Sequence, residues 1–335
     1  PWKRVTSHVP RRLSGSRMWG VLACLACAFG AVGGAWSEPL IGGTIVYVQA
    51  GEAYEVYVMD ATVGEPRRVW REEDDEITSV KLSPDAQRVA FVAGPDRRDK
   101  QVYIVNVDGS DHRPVTDFGE GLWAASVAWS PDSMRLAYGS EASLGVDATL
   151  SVASRDGSNA RVLTRVRSAR MSGLAWSPGG AKIAYVYRGV AGGTQLRSLS
   201  LATEETAWLA NDVIGETAWS PDGTRLAFTR EAGKRIGNIL VMLARPQAPA
   251  RRITNARVSG GSPIWVDRQH IAHLSVADVK VIHITDLDGN PQPPLNVDAT
   301  APITGFDWVD PARAVRAAGK VATTFGDLKA GGGAR

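Results

Sequence analysis

Between residues 44 and 310 the apolar positions come in short runs of strand length, separated by polar clusters that return in a fixed order. The stretch Thr217-Ala-Trp-Ser-Pro-Asp-Gly-Thr-Arg-Leu-Ala-Phe228 shows the unit most clearly. Trp219 closes one apolar run. Ser220, Pro221, Asp222 and Gly223 then fit positions i to i+3 of a type I turn, where Pro presets φ and Gly follows. Leu226-Ala-Phe228 opens the return run, so the pattern predicts strand, tight turn, strand.

Aligned on this unit, the chain reads Leu82-Ser-Pro-Asp, Trp129-Ser-Pro-Asp, Trp176-Ser-Pro-Gly, Trp219-Ser-Pro-Asp, Trp265-Val-Asp and Trp308-Val-Asp-Pro, at spacings of 43 to 47 residues. A period in the forties is that of a four-stranded propeller blade, a sheet too small to bury its faces without stacking on its neighbours. Trp129, Trp176, Trp219, Trp265 and Trp308 are expected between blades, where large aromatic rings contribute most to packing. A second strand (Arg88 to Val92, for example) and a third (Val102 to Val105) follow each turn. An Asp-Gly hairpin turn comes next, at Asp108, Asp156 and Asp288, with glycine supplying positive φ. Residues 44 to 70 hold second, third and fourth strands with no first, whereas residues 303 to 308 hold a first strand without the rest. The expected fold is therefore all-β: a six-bladed β-propeller of four-stranded blades, closed by a C-terminal first strand completing the N-terminal blade, with no open edge.

This repeat, Trp-Ser-Pro-Asp-Gly, Leu-Ala-Phe, a Tyr-x-Val strand and Asp-Gly-Ser, resembles the propeller repeat of the TolB-like family. The resemblance covers residues 44 to 310 and implies a six-bladed propeller, periplasmic export and docking of protein partners. The α/β domain that TolB carries ahead of its propeller is not read in this sequence. Related repeats also serve as substrate gates of serine peptidases and occur in oligogalacturonate lyases, so the fold alone does not fix an activity.

Charge matters through its distribution. The formal net charge is +3, but Lys3, Arg4, Arg11, Arg12 and Arg17 precede any acid, and the remainder holds 33 basic against 35 acidic residues. A balance near −2 offers no cationic face for phosphates, which argues against nucleic acid as a partner. The basic start runs into Met18–Ser37, uncharged and rich in small and apolar residues, which reads as a secretory leader. The rival readings are an uncleaved anchor and lipidation at Cys24, the only routes to a membrane. Cys24 and Cys27, the two cysteines of the chain, both lie in this run. The expected organisation is a leader at 1–37, the propeller at 38–310 and a tail at 311–335, with a periplasmic or secreted location.

Candidate chemistry is sparse. No G-x-S-x-G, H-E-x-x-H or G-x-x-x-x-G-K-[ST] motif is present. His270, His273 and His283 are close in sequence, but His273 and His283 fall where other repeats place Phe or Tyr, a packing position. The reading is no metal and no cofactor, with a divalent metal at His270 and His283 as the weaker alternative. Asp286-Leu-Asp-Gly-Asn290 aligns with an ordinary hairpin turn rather than a calcium loop. The loops on the face opposite the Ser-Pro-Asp turns vary from repeat to repeat, and variation on a rigid scaffold is where recognition usually sits. Asp74 and Asp75 in the acidic run, Arg97 and Arg98 in the next loop, Arg188 and Lys234 are the candidate partner-binding residues. The expected function is a non-catalytic, exported scaffold for a protein or peptide partner of the cell envelope. The alternative is a saccharide-active lyase or hydrolase with its site in the channel.

Overall fold

A computed structural model of the chain describes residues 42–62, 64–96, 98–189, 192–232, 236–254, 258–259, 262–275 and 278–310. The leader with Cys24 and Cys27, the tail at 311–335, Arg97 and Lys234 lie outside the described residues. All the described residues belong to one compact unit, 39–335.

Among them every regular element is a β-strand. Antiparallel hairpins join β1 (Thr44–Ala50), β2 (Tyr54–Asp60) and β3 (Arg67–Glu72). The next sheet runs β4 (Glu76–Leu82), β5 (Arg88–Gly94), β6 (Gln101–Asn106) and β7 (Arg113–Pro114). Then come β8 (Leu122–Trp129), β9 (Arg135–Ala142), β10 (Asp147–Ser154) and β11 (Arg161–Arg167). They are followed by β12 (Arg170–Trp176), β13 (Lys182–Arg188), β14 (Thr194–Ser200) and β15 (Thr206–Asn211), joined to the preceding set by a single bridge, Arg170 to Glu141. β16 (Val213–Trp219), β17 (Arg225–Glu231), β18 (Ile236–Leu243) and β19 (Ala250–Arg252) form a sheet to which β20 (Val258–Ser259) adds beside β18. β21 (Ile264–Trp265), β22 (His270–Leu274), β23 (Val281–Asp286) and β24 (Pro291–Asn296) make the next. β25 (Ile303–Val309) pairs antiparallel with β1, Tyr47 facing Phe306 and Ile45 facing Trp308.

The Ser-Pro-Asp sequences after β4, β8 and β16 turn the chain for a local reason. In the turn at 220, the Ser220 hydroxyl donates to Asp222 Oδ1 at 2.6 Å and accepts the Arg225 N–H at 2.9 Å. Asp222 Oδ1 also takes the Thr224 N–H at 3.0 Å, and the Gly223 N–H reaches Ser220 O at 2.8 Å. Ser83 and Ser130 repeat the pattern with Asp85 and Asp132. The Asp-Gly turns behave as the sequence predicts, Gly109, Gly157 and Gly289 lying at φ 88°, 85° and 92°.

The apolar side chains bury between sheets. Val46, Val58 and Val69 pack on Val80, Val89 and Phe91, and Leu196, Leu209 and Val213 pack on Leu226, Phe228 and Met242. Ile45, Tyr47, Phe306 and Trp308 pack on Ile264, Ala272 and Ile282. The first strands stand side by side, β4 next to β8, β8 to β12, β12 to β16, β16 to β21, β21 to β25 and β25 to β4. The architecture is thus an all-β, propeller-like ring of four-stranded sheets whose first strands surround a central channel.

Candidate functional site

The tryptophans that end the first strands meet at one mouth of this channel. Trp129, Trp176, Trp265 and Trp308 are buried and Trp219 half-buried. Their indole N–H groups stitch strand to strand. Trp129 donates to Lys81 O at 3.2 Å, Trp219 to Ala175 O at 3.1 Å and Trp265 to Ala218 O at 3.2 Å, each time on the preceding sheet. Trp308 reaches Gly42 O at 3.3 Å, whereas Trp176 turns to Gly180 O of its own turn and lies under the Arg135 guanidinium. The rings, with Pro84, Pro131, Pro178 and Pro221 from the turns and Pro263 ahead of β21, line a cavity of about 270 Å³. A rim of Trp and Pro is apolar and rigid, because neither residue has much rotamer freedom left once packed.

The base of the mouth carries charge. Val80 and Leu82 enter the core beside β5, which turns Lys81 to the other side of its strand. Phe306 and Trp308 do the same to Asp307. On β16 the ladder with β17 slips between Ile214 and Thr217, and Gly215 at φ 71° allows the bulge that re-aims Glu216. Lys81 Nζ lies 3.3 Å from Glu216 Oε2, an ion pair whose geometry falls short of a hydrogen bond at that oxygen. β4 and β16 are not neighbours in the ring, so this pair crosses the channel behind the mouth. Asp307 Oδ2 accepts the Leu82 N–H at 3.0 Å, while Asp307 and Lys81 both line the cavity.

Burial opposes the charge on Lys81, but the Glu216 and Asp307 carboxylates outweigh it and hold the ammonium above its ordinary range. Burial also acts on Asp307 and pushes it up, against the pull of Lys81 and of the Leu82 and Trp308 N–H groups. Lys81 is therefore a fixed cation and a poor proton acceptor. Counted formally, one base faces two acids.

Sequence reasoning singled out none of these three. Aligned to the repeat, the residue before the Trp is Lys81, Ala128, Ala175, Ala218, Ile264 and Asp307. Three positions before it stand Ser79, Ser126, Gly173, Glu216, Ser262 and Gly305. The signal was the departure from a small residue in each column.

The residues that were singled out are elsewhere. Asp74, Asp75, Arg98 and Arg188 sit at the opposite ends of the strands, in or beside the variable loops. Asp75 lies in an acidic neighbourhood, and its carboxyl is raised by burial and by Glu72, Asp74 and Asp99. His270 and His283 are not brought together. His270 Nδ1 lies 2.7 Å from Asp267 Oδ2, whereas His283 faces His273 across the ladder with the rings stacked at 5.7 Å. Tyr47 and Tyr57, and Phe91 and Tyr103, are cross-strand partners in the same way. Among the described residues no group of three or more His, Cys, Asp or Glu is placed to hold a metal ion. In the 286–290 turn Asp286 accepts the Asp288 and Asn290 N–H groups and the Asn290 side chain, which is a self-satisfied hairpin.

Ring, repeat and mouth define a TolB-like β-propeller. TolB from Acinetobacter baumannii superposes with a TM-score of 0.63 at 18% identity, over 80% of this chain and 66% of that one. A chain of a nidogen/laminin complex gives 0.60 at 12% identity, over 80% and 99%. The putative TolB from Agrobacterium tumefaciens gives 0.54 at 15%, over 75% and 87%. This chain thus spans about two thirds of the length of the Acinetobacter protein. Residues 48–292 match the model of the Dipeptidyl peptidase IV (DPP IV) N-terminal region, and the chain belongs to that family. No curated protein sequence matches it.

Proposed function

We propose that the chain is an exported, six-bladed propeller clasped shut by β25 on β1, and that it acts in the periplasm or cell envelope as a non-catalytic scaffold for a protein or peptide partner. The observation that carries the binding role is the Trp- and Pro-lined mouth, concave, apolar and rigid, with a few polar groups converging at its base. Export rests on the basic start and uncharged run of the leader. The TolB-like and nidogen-like folds are compatible with a docking role but supply no partner. The variable loops with Asp74, Asp75, Arg98 and Arg188 are the second contact face of the proposal.

A saccharide-active lyase or hydrolase remains the alternative, and Lys81, Glu216 and Asp307 are the groups it would draw on. Its weakness is chemical. A lysine held above its ordinary pKa is protonated at neutral pH and does not abstract protons.

Photo-crosslinking in the envelope of the producing cell tests the reading. A benzophenone amino acid is placed at Pro131 on the rim, or at Asp74 or Arg188 on the variable face. A discrete adduct from Pro131 supports the mouth, and adducts from Asp74 or Arg188 alone transfer the contact to the variable face. Adducts from none of the three sink the scaffold reading.

A further inference from the structure

The charges at the base of the mouth specify its guest. The cavity of about 270 Å³ falls just below the ~300–1,000 Å³ usual for small-molecule sites, which suits one long side chain better than a whole metabolite. Its walls are indole and pyrrolidine. Among the described residues that line it, Lys81 is the one base, facing two acids, Asp307 and Asp310. Lys81 is already matched by Glu216 from across the channel. Asp307 shares that one lysine with Glu216 and otherwise has only the Leu82 and Trp308 N–H groups.

A buried carboxylate in an apolar well is a costly arrangement until a cation joins it, since attraction in a low dielectric then offsets the lost hydration. An anionic guest would sit beside Asp307 and meet a lysine already shared between two carboxylates, Glu216 and Asp307. A neutral apolar guest would leave the carboxylate uncompensated and more deeply buried. A long basic side chain satisfies both parts of the site, with its methylenes on the rings and its head at the carboxylate. The room for it comes from Ala128, Ala175 and Ala218, which take the column position that Asp307 holds on β25.

We propose that the mouth of the channel takes a basic side chain of a partner segment, the alkyl stem against the Trp and Pro rim and the cationic head at Asp307. This rests on the reading of the mouth as the binding site and adds the chemistry of what enters it.

The probes are n-butylammonium, which corresponds to the whole lysine side chain, and butan-1-ol, its neutral isostere. Both are titrated into the full chain carrying ¹⁵N-labelled tryptophan, with the indole N–H resonances followed. Butylammonium is expected to shift the indoles of Trp129, Trp219, Trp265 and Trp308 and to bind at least tenfold more tightly than butanol. Asp307→Asn keeps an oxygen for the Leu82 N–H and is expected to weaken butylammonium about tenfold while leaving butanol unchanged. Acidification weakens butylammonium in the wild type as Asp307 takes up its proton. Equal response to both probes overturns the proposal and leaves an apolar well. Response to neither, with the Pro131 crosslink present, overturns the cation while the mouth stands; loss of both shift and crosslink removes the two together.

Discussion

Ala86 and Ser133 hold φ at 55° and 58° in the turn position that Gly180 and Gly223 hold at 73° and 70°. An L side chain in that region costs about 1–2 kcal/mol. Ser133 gains something in return, its hydroxyl accepting the Asp85 N–H of the previous sheet's turn at 3.0 Å. Ala86 gains no such bond, so Ala86→Gly is expected to stabilise the protein by about 1 kcal/mol in thermal or urea melts. An unchanged or lower midpoint would show that its methyl packing on the core outweighs the backbone strain. His273 is the opposite case, an aromatic position filled by a titratable ring. It is buried, held by Thr285 Oγ1 at 3.0 Å, and burial first, then the neighbouring His283, drives its pKa from 6.5 down to about 4. The unfolded chain takes up this proton below pH 6.5 and the folded chain only near 4, so stability is lost as pH falls across that window. The loss amounts to about 2–3 kcal/mol. His273→Phe restores the repeat residue and is expected to flatten that part of the pH profile in denaturation at pH 7.5 and 4.5. A profile as steep as the wild type's would remove His273 from the account.

At the scale of elements, the tryptophans join what the turns separate. Trp129→Phe removes the indole N–H that Lys81 O receives and with it a bond that ties β8 to β4, while Lys81 keeps its ladder position opposite Ala90. A loss of about 0.5–1.5 kcal/mol is expected in urea denaturation. Less than 0.5 kcal/mol would mean that water replaces the indole. The strands and turns were legible because each repeat restates the same local chemistry: Ser and Asp side chains that close the turn, Gly at positive φ, β-branched and aromatic residues between. What escaped are the irregular edges. β7 shrinks to Arg113–Pro114, because Pro114 has no N–H to extend the ladder. β24 contains Pro291, Pro293 and Pro294, a composition that reads as loop, yet it forms an outer strand in which Pro291 stands opposite Thr285 and the ladder slips past Pro293 and Pro294 between Ile282 and Ile284. β20 beside β18 has no counterpart in the other repeats, so no alignment of the chain with itself could propose it.

For the whole molecule, the repeat alignment hid the site because it rewards sameness, and the mouth gains its character from Lys81, Glu216 and Asp307, which break their columns from three different strands. Only closing the sheets into a ring brings residues 81, 216 and 307 together. The pair across the channel couples β4 to β16 without any shared ladder, which makes it a test of the ring as a unit. Lys81→Met fills similar space but leaves Glu216 and Asp307 facing each other without their cation. Breaking a buried pair on one side costs about 3–5 kcal/mol, so a loss of that size at pH 7 is expected. Its pH dependence gives the cause. Asp307 already has a folded pKa above its unfolded value of 3.8, and without Lys81 it rises further. A raised carboxyl penalises the folded state above its folded pKa and relieves it as the proton binds. The deficit of Lys81→Met should therefore shrink as pH is lowered from 7 toward 4, whereas a deficit caused by lost packing would stay constant. Lys81→Met with Glu216→Leu removes one of the two orphaned charges and should recover part of the loss at pH 7. Urea denaturation of wild type, single and double variants at pH 7 and 5 decides it, and a pH-independent deficit that the second substitution deepens would show that the lysine serves the ring through its bulk and not its charge.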